Sequence, residues 1–238
     1  MKRFCQTLLR GLGRIICKLM LKLEIEGMEN VPPDGPLLII GNHFSLFEGP
    51  ILIIFLPYHE RQIWLGAAEL RNITILRILF DLFGIIPVRR GQVDRTALRR
   101  GLEWLQAGNV LGIMPEGGID PDFRHLTMAG IPLAMDDGSN SRASAELITP
   151  RPGAAYLAVR SGAPILPTAF LGTEQILDNL RRLRRTPVRV IIGPVFGPLT
   201  IDSSLPKSDR RALEDAYGDE MMRHIAALMP PENRGPYR

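Results

Sequence analysis

Cysteine is nearly missing: the 238 residues hold only Cys5 and Cys17. Both fall in one helix-patterned stretch, where twelve residues rise about 18 Å, so a disulfide between them is geometrically excluded. They read as small apolar residues of a reducing compartment. Histidine is also scarce, at four residues, and no Cys/His spacing of the zinc type occurs. No metal and no other cofactor is expected. An apolar run long enough to span a bilayer, about 18 uncharged residues, is absent as well. The nearest stretch, 73–88, is interrupted by Arg77 and Asp81. No secretory leader is evident, because Arg10, Arg14 and Lys18 break any uncharged core after Met1-Lys2-Arg3. These absences lead to the expectation of a cytoplasmic protein that touches a membrane at most from one side.

What is present suits a folded domain. Hydrophobic residues make up 45% of the chain, too many for a disordered segment and enough for a sizeable core. The net charge of +4, with a sequence pI near 9.4, fits an anionic partner. Its distribution says more than its total. Residues 3–23 place Arg3, Arg10, Arg14, Lys18 and Lys22 along one stripe. Leu8, Leu12, Ile15, Leu19 and Leu23 share the opposite face. Such a helix can lie in a bilayer surface, or it can pack on a core with its cations in water.

Downstream, strand-like segments at 24–27, 37–41, 63–67, 85–88, 110–114, 165–170 and 188–192 alternate with helical ones. The helices are read at 74–82, 94–107, 154–161 and 207–228, with another opening near Pro50. Residues 136–141 form a polar loop. The expected fold class is α/β: one domain whose mixed, largely parallel sheet is flanked by helices, preceded by an N-terminal amphipathic helix. The division expected is 1–24 for that helix and 25–238 for the domain.

Chemistry concentrates where the strands end. After the apolar run 37–40 come Asn42-His43-Phe44-Ser45-Leu46-Phe47-Glu48. A neutral imidazole can take a proton from a hydroxyl, and a carboxylate can fix its tautomer and stabilise the imidazolium. His43 and Glu48 are therefore candidates for a general base and its partner. A histidine near a helix start, with an acid favoured by the helix dipole, is the purely structural alternative. Three further blocks follow in order: Gly84-Ile85-Ile86-Pro87-Val88-Arg89-Arg90-Gly91, Met114-Pro115-Glu116-Gly117-Gly118, and Ala163-Pro164-Ile165-Leu166-Pro167.

Together the four blocks resemble the glycerolipid acyltransferase family, which includes the 1-acyl-sn-glycerol-3-phosphate acyltransferases. The resemblance covers about residues 25–200. It implies that His43 deprotonates an acceptor hydroxyl, which attacks an acyl thioester on acyl-CoA or acyl carrier protein. The family has aspartate where this chain has Glu48. It also implies an arginine that binds the acceptor's phosphate: Arg90 matches best, with Arg89 one residue away. A guanidinium fork suits phosphate. Glu116, Gly117 and Gly118 are implied to line the acceptor site, although the hydroxyl residue and arginine usual after Glu116-Gly117 are replaced by Gly118 and Ile119. Arg151, ahead of a helix near Gly153, is a second candidate phosphate contact, aided by that helix's amino end. The fourth block lies near the acyl thioester in the family, and equally reads as a plain core strand.

The implied reaction is acyl transfer to 1-acyl-glycerol-3-phosphate, giving phosphatidic acid, by a peripheral enzyme on the inner face of the cell membrane. Its partners would be the thioester donor, a lysophospholipid acceptor and an anionic membrane surface. Another lysophospholipid, a glycolipid or an ornithine lipid could replace the acceptor, and an inactive membrane-binding relative is the rival of another class. The run Arg181-Arg182-Leu183-Arg184-Arg185 is too short and too poor in aromatics for nucleic acid. Either water or anionic headgroups would suit it.

Overall fold

In the computed structural model, which describes residues 2–89, 93–119, 141–142 and 144–238, the alternating pattern resolves into seven strands in one sheet. The chain runs α1 (Lys2–Met20), β1 (Leu21–Glu26), β2 (Leu37–Gly41), α2 (Glu48–Phe55), β3 (Gln62–Ala67), α3 (Thr74–Phe83) and β4 (Ile86–Val88). It continues with α4 (Arg95–Gln106), β5 (Val110–Ile113), α5 (Pro152–Ser161), β6 (Ile165–Leu171), α6 (Ile176–Arg181), β7 (Thr186–Ile192) and α7 (Lys207–Ala227). The sheet order is β1-β7-β6-β2-β5-β3-β4. Strands β4, β3, β5, β2 and β6 are parallel neighbours, β7 is antiparallel to β6, and β1 runs parallel to β7. The fold is thus α/β with a mixed, mostly parallel sheet.

The central strand shows why. All five residues of β2 are buried, as a strand covered on both faces requires. Leu38 and Ile40 join a core with Leu105 of α4, Leu157 of α5 and Ile225 of α7. Leu37 and Ile39 face the other way, onto Cys17 of α1 and Ile51 and Leu52 of α2. Reversal of β1 and β7 has a spatial consequence. Their entry ends lie at the same end of the sheet as the exit ends of β2, β5 and β6.

Helix α1 forms as expected, and of the two orientations open to it the apolar arc faces outward rather than onto the core. Gln6, Arg10 and Cys17 face the protein, and Gly13 allows a close approach, because a Cβ there would lie 2.8 Å from Ile54. Phe4, Leu8, Leu12, Ile15, Ile16 and Leu19 are 44–73% exposed. Arg10 therefore leaves the solvated stripe. Its Nη1 donates to Leu56 O at 3.1 Å and its Nη2 to His59 O at 3.4 Å, satisfying carbonyls at the end of α2. Burial, with Arg14 nearby, pushes its guanidinium down to about 10. The helix also stops at Met20, so the boundary expected at residue 24 falls inside β1, a member of the sheet. Arg90 and the polar residues 136–140 lie outside the described residues.

Candidate active site

The exit ends of β2, β5 and β6 deliver three loops to one place, the usual position for a ligand crevice in a parallel sheet. From β2 comes the turn carrying His43. Asn42 ahead of it is fully buried and extends the β2–β6 pairing through its side chain. Its Nδ2 donates to Phe170 O at 3.0 Å, and its Oδ1 accepts from Phe170 N at 2.7 Å. The histidine is thereby seated on a backbone that cannot rotate freely.

His43 Nδ1 lies 3.2 Å from Glu48 Oε2. Glu48 opens α2 and is 0% exposed. Its other oxygen, Oε1, accepts from Ser45 N at 2.8 Å, Ser45 Oγ at 2.9 Å and Thr173 Oγ1 at 2.5 Å. A carboxylate only accepts, so beside Glu48 it is Nδ1 that carries the imidazole proton and Nε2 that keeps the lone pair. The imidazole side chain retains 23% exposure, enough for a small group to reach it. The arrangement can accept a proton at Nε2 and stabilise the resulting imidazolium.

Glu116 follows β5, and the structure places it beneath the histidine. It is 1% exposed, and both carboxylate oxygens are taken by protein donors. Oε1 accepts from the His43 amide at 2.9 Å, while Oε2 accepts from Arg142 Nη1 and from Ile148 N at 3.3 Å. Burial pushes its carboxyl up, against the pull of Arg142 and the His43 amide. Arg142, also 1% exposed, donates further to Ile119 O, Gly118 O and Glu146 O and lies over the Phe44 ring. Its own amide donates to Phe44 O at 2.6 Å. Glu116 and Arg142 thus clamp the histidine turn to the Pro-Glu-Gly-Gly turn. Glu116, expected to line the acceptor site, is joined to His43 through that residue's backbone amide.

Gly117 closes a turn through its amide to Met114 O at 3.0 Å. Its φ of +70° favours glycine, and a Cβ there would meet Arg151 Cγ at 2.6 Å. The aliphatic stem of Arg151 therefore covers this turn, and the Arg151 amide donates to Pro115 O at 2.7 Å. Arg151 immediately precedes α5, so the amino end of that helix follows directly on the residue that covers Gly117. Gly118 has nothing within 4 Å of a notional Cβ. Arg89 leaves β4 exposed, and its amide donates to Asp94 Oδ2 at 3.1 Å, while Asp94 Oδ1 caps α4 through Ala97 N. Residues 165–167 of the fourth block are buried in β6 as core strand.

Several of these residues had no place in the sequence reading. Ser45 carries a local signal, since Ser-x-x-Glu is a helix-start pattern in which the glutamate reaches back to the serine amide. Thr173, 125 positions from Glu48, and Arg142, 26 from Glu116, carry none.

A model of the acyltransferase family matches residues 22–171. The chain belongs to the acyltransferase family. The chain is 25% identical to a chloroplastic 1-acyl-sn-glycerol-3-phosphate acyltransferase of Brassica napus, over 74% of this chain and 46% of that protein. It is 27% identical to an uncharacterized protein of Mycobacterium tuberculosis, over 81% of this chain and 52% of the relative. The chain spans about half the length of these curated relatives. The crystal structure of the 1-acyl-sn-glycerophosphate (LPA) acyltransferase PlsC from Thermotoga maritima superposes with a TM-score of 0.62 at 21% identity. That match covers 95% of this chain and 79% of the other, and establishes a shared fold.

Proposed function

We propose that this acyltransferase moves a fatty acyl group from a thioester, acyl-CoA or acyl carrier protein, to the free hydroxyl of 1-acyl-glycerol-3-phosphate, giving phosphatidic acid. The observation that carries the reading is the His43–Glu48 pair, 3.2 Å apart at the exit end of β2 with its carboxylate fully held. The printed activity of the Brassica relative supports the choice of acceptor.

In this reading His43 Nε2 takes the hydroxyl proton as the acceptor oxygen attacks the thioester carbonyl. Glu48 stabilises the imidazolium. The tetrahedral intermediate collapses with cleavage of the carbon–sulfur bond, and the imidazolium proton passes to the departing thiolate. The developing oxyanion needs donors, and backbone amides around the glycine blocks are the candidates. Arg90 binds the acceptor's phosphate, with Arg89 as the alternative one residue away and Arg151 with the amino end of α5 as the second contact. Because α1 turns its apolar arc outward, the protein is held peripherally on the inner face of the membrane, where such an acceptor resides. No helix among the described residues is long and apolar enough to cross a membrane.

The test is acyl-CoA turnover by purified protein against a panel of lysophospholipid acceptors. Fastest transfer to 1-acyl-glycerol-3-phosphate is expected, and His43→Ala should lower it at least about a hundredfold with the fold intact. Preference for an acceptor without a phosphomonoester would move the reading to a different lipid. Undiminished turnover by His43→Ala would end the proposed mechanism.

A further inference from the structure

The loop between α6 and β7 breaks two rules of a soluble protein. Leu183 is 94% exposed, the most exposed large apolar side chain among the described residues. It also adopts φ +53°, the left-handed region that disfavours side chains with a Cβ. The reason is a helix end. Arg184 N donates to Asn179 O at 2.8 Å and Leu183 N to Leu180 O at 3.0 Å, the two bonds of a Schellman cap. The position that closes such a cap is ordinarily glycine. Here a leucine occupies it, strained and without a covering partner, while Leu180 beside it is also exposed.

Its surroundings are cationic and adjoin α1. Arg181, Arg182, Arg184 and Arg185 are all exposed, and among the described residues Asp178 pairs with Arg181, at 3.3 Å. Arg185 Nη2 donates to Leu21 O at 2.6 Å, directly after α1 and next to exposed Leu19. Topology sets the direction. Leu171 at the end of β6 pairs with Arg189, so the start of β7 projects three residues, about 10 Å, past it toward the active-site end.

We propose that the 181–185 loop is a second membrane anchor, in which Leu183 inserts beneath the headgroups of an anionic bilayer while its flanking arginines meet the phosphates. It works with the outward face of α1 and turns the exit ends of β2, β5 and β6 toward the lipid. The proposal deepens the membrane placement above, but its readout is binding, so loss of acyl transfer would not touch it. An anionic surface is favoured over an acidic carrier protein because the basic loop continues into the apolar arc of α1, too long for a point contact.

Full-length protein is titrated with vesicles of phosphatidylcholine containing phosphatidylglycerol, and with phosphatidylcholine alone. Leu183→Gly suits the backbone conformation, so its thermal stability should equal or exceed that of the unaltered chain. Its partitioning onto anionic vesicles should fall about tenfold. Leu183→Trp should show a blue-shifted emission increment that brominated lipid quenches. Arg182→Gln/Arg184→Gln should weaken binding to anionic vesicles and leave binding to neutral ones unchanged. Unaltered partitioning of Leu183→Gly, or no spectral change in Leu183→Trp, would overturn the proposal. So would intact vesicle binding by the arginine variant with a raised KM for acyl carrier protein, which would make the loop a carrier-protein dock.

Discussion

Glu48 is where residue-scale chemistry is decided. Its side chain is one methylene longer than an aspartate, yet its oxygens are fixed by Ser45, Thr173 and His43 in a fully buried position. Length is therefore tolerated because the donors are arranged for it. Charge should matter more than length: Glu48→Asp is expected to keep substantial activity and Glu48→Gln to lose most of it, measured as kcat on a common acceptor. Thr173 supplies the shortest of these bonds. Thr173→Val should lower kcat by about tenfold, the scale of one lost hydrogen bond to a charged group, with little change in KM. Thr173→Ser should recover most of the loss, whereas a packing role for the methyl group would spare the valine variant and impair the serine one.

At the scale of elements, Arg142 holds together segments that secondary structure alone leaves apart. It joins the histidine turn, the turn after β5 and the chain at residue 146 through one buried guanidinium. Arg142→Met would strand Glu116 as a buried, unpaired carboxylate. A loss of about 3–5 kcal/mol in unfolding free energy is expected by denaturant titration. Between β4 and α4 the task is different. Asp94 pins the amide of Arg89 and caps α4, so the start of the basic block is held by its backbone. Arg90→Ala should raise the acceptor KM more than the donor KM, as loss of ground-state phosphate binding requires. The parallel measurement on Arg89→Ala decides which cation touches phosphate.

For the whole molecule, α1 is a wall of the core and, in the proposed function, the surface that meets the bilayer. Its inward face closes the α2 side of the sheet, so removing it would expose Ile54 and leave the carbonyls of Leu56 and His59 without Arg10. Substitution is the cleaner test. Leu8→Gln/Leu12→Gln/Leu19→Gln changes only the exposed arc and should leave the melting temperature nearly unchanged while releasing the protein from anionic vesicles. Binding of the unaltered chain should weaken with added salt, because exposed charges are screened within about 10 Å at 0.1 M. Undiminished vesicle sedimentation of the triple variant would show that α1 is not the contact.

The amino-acid order by itself determined whatever depends on short range. Apolar runs marked β2, β5 and β6, because a strand buried on both faces admits little else, whereas residues 21–23 of β1 read as the end of the amphipathic helix. The His-x4-Glu spacing paired a histidine with a carboxylate, since five residues across a strand-to-helix turn keep both at one point. Tertiary structure alone decided which way α1 faces. Its amphipathicity is symmetric with respect to core and bilayer, and only the carbonyls at the end of α2 draw Arg10 inward. It alone brought Thr173 to Glu48 and Arg142 to Glu116, contacts made by strand order across many residues, with no periodicity to betray them. The reversal of β1 and β7, which carries the end of α1 and Leu183 to the active-site end, is likewise a property of pairing between distant strands. Local sequence sets what each strand buries; only the assembled sheet sets its direction.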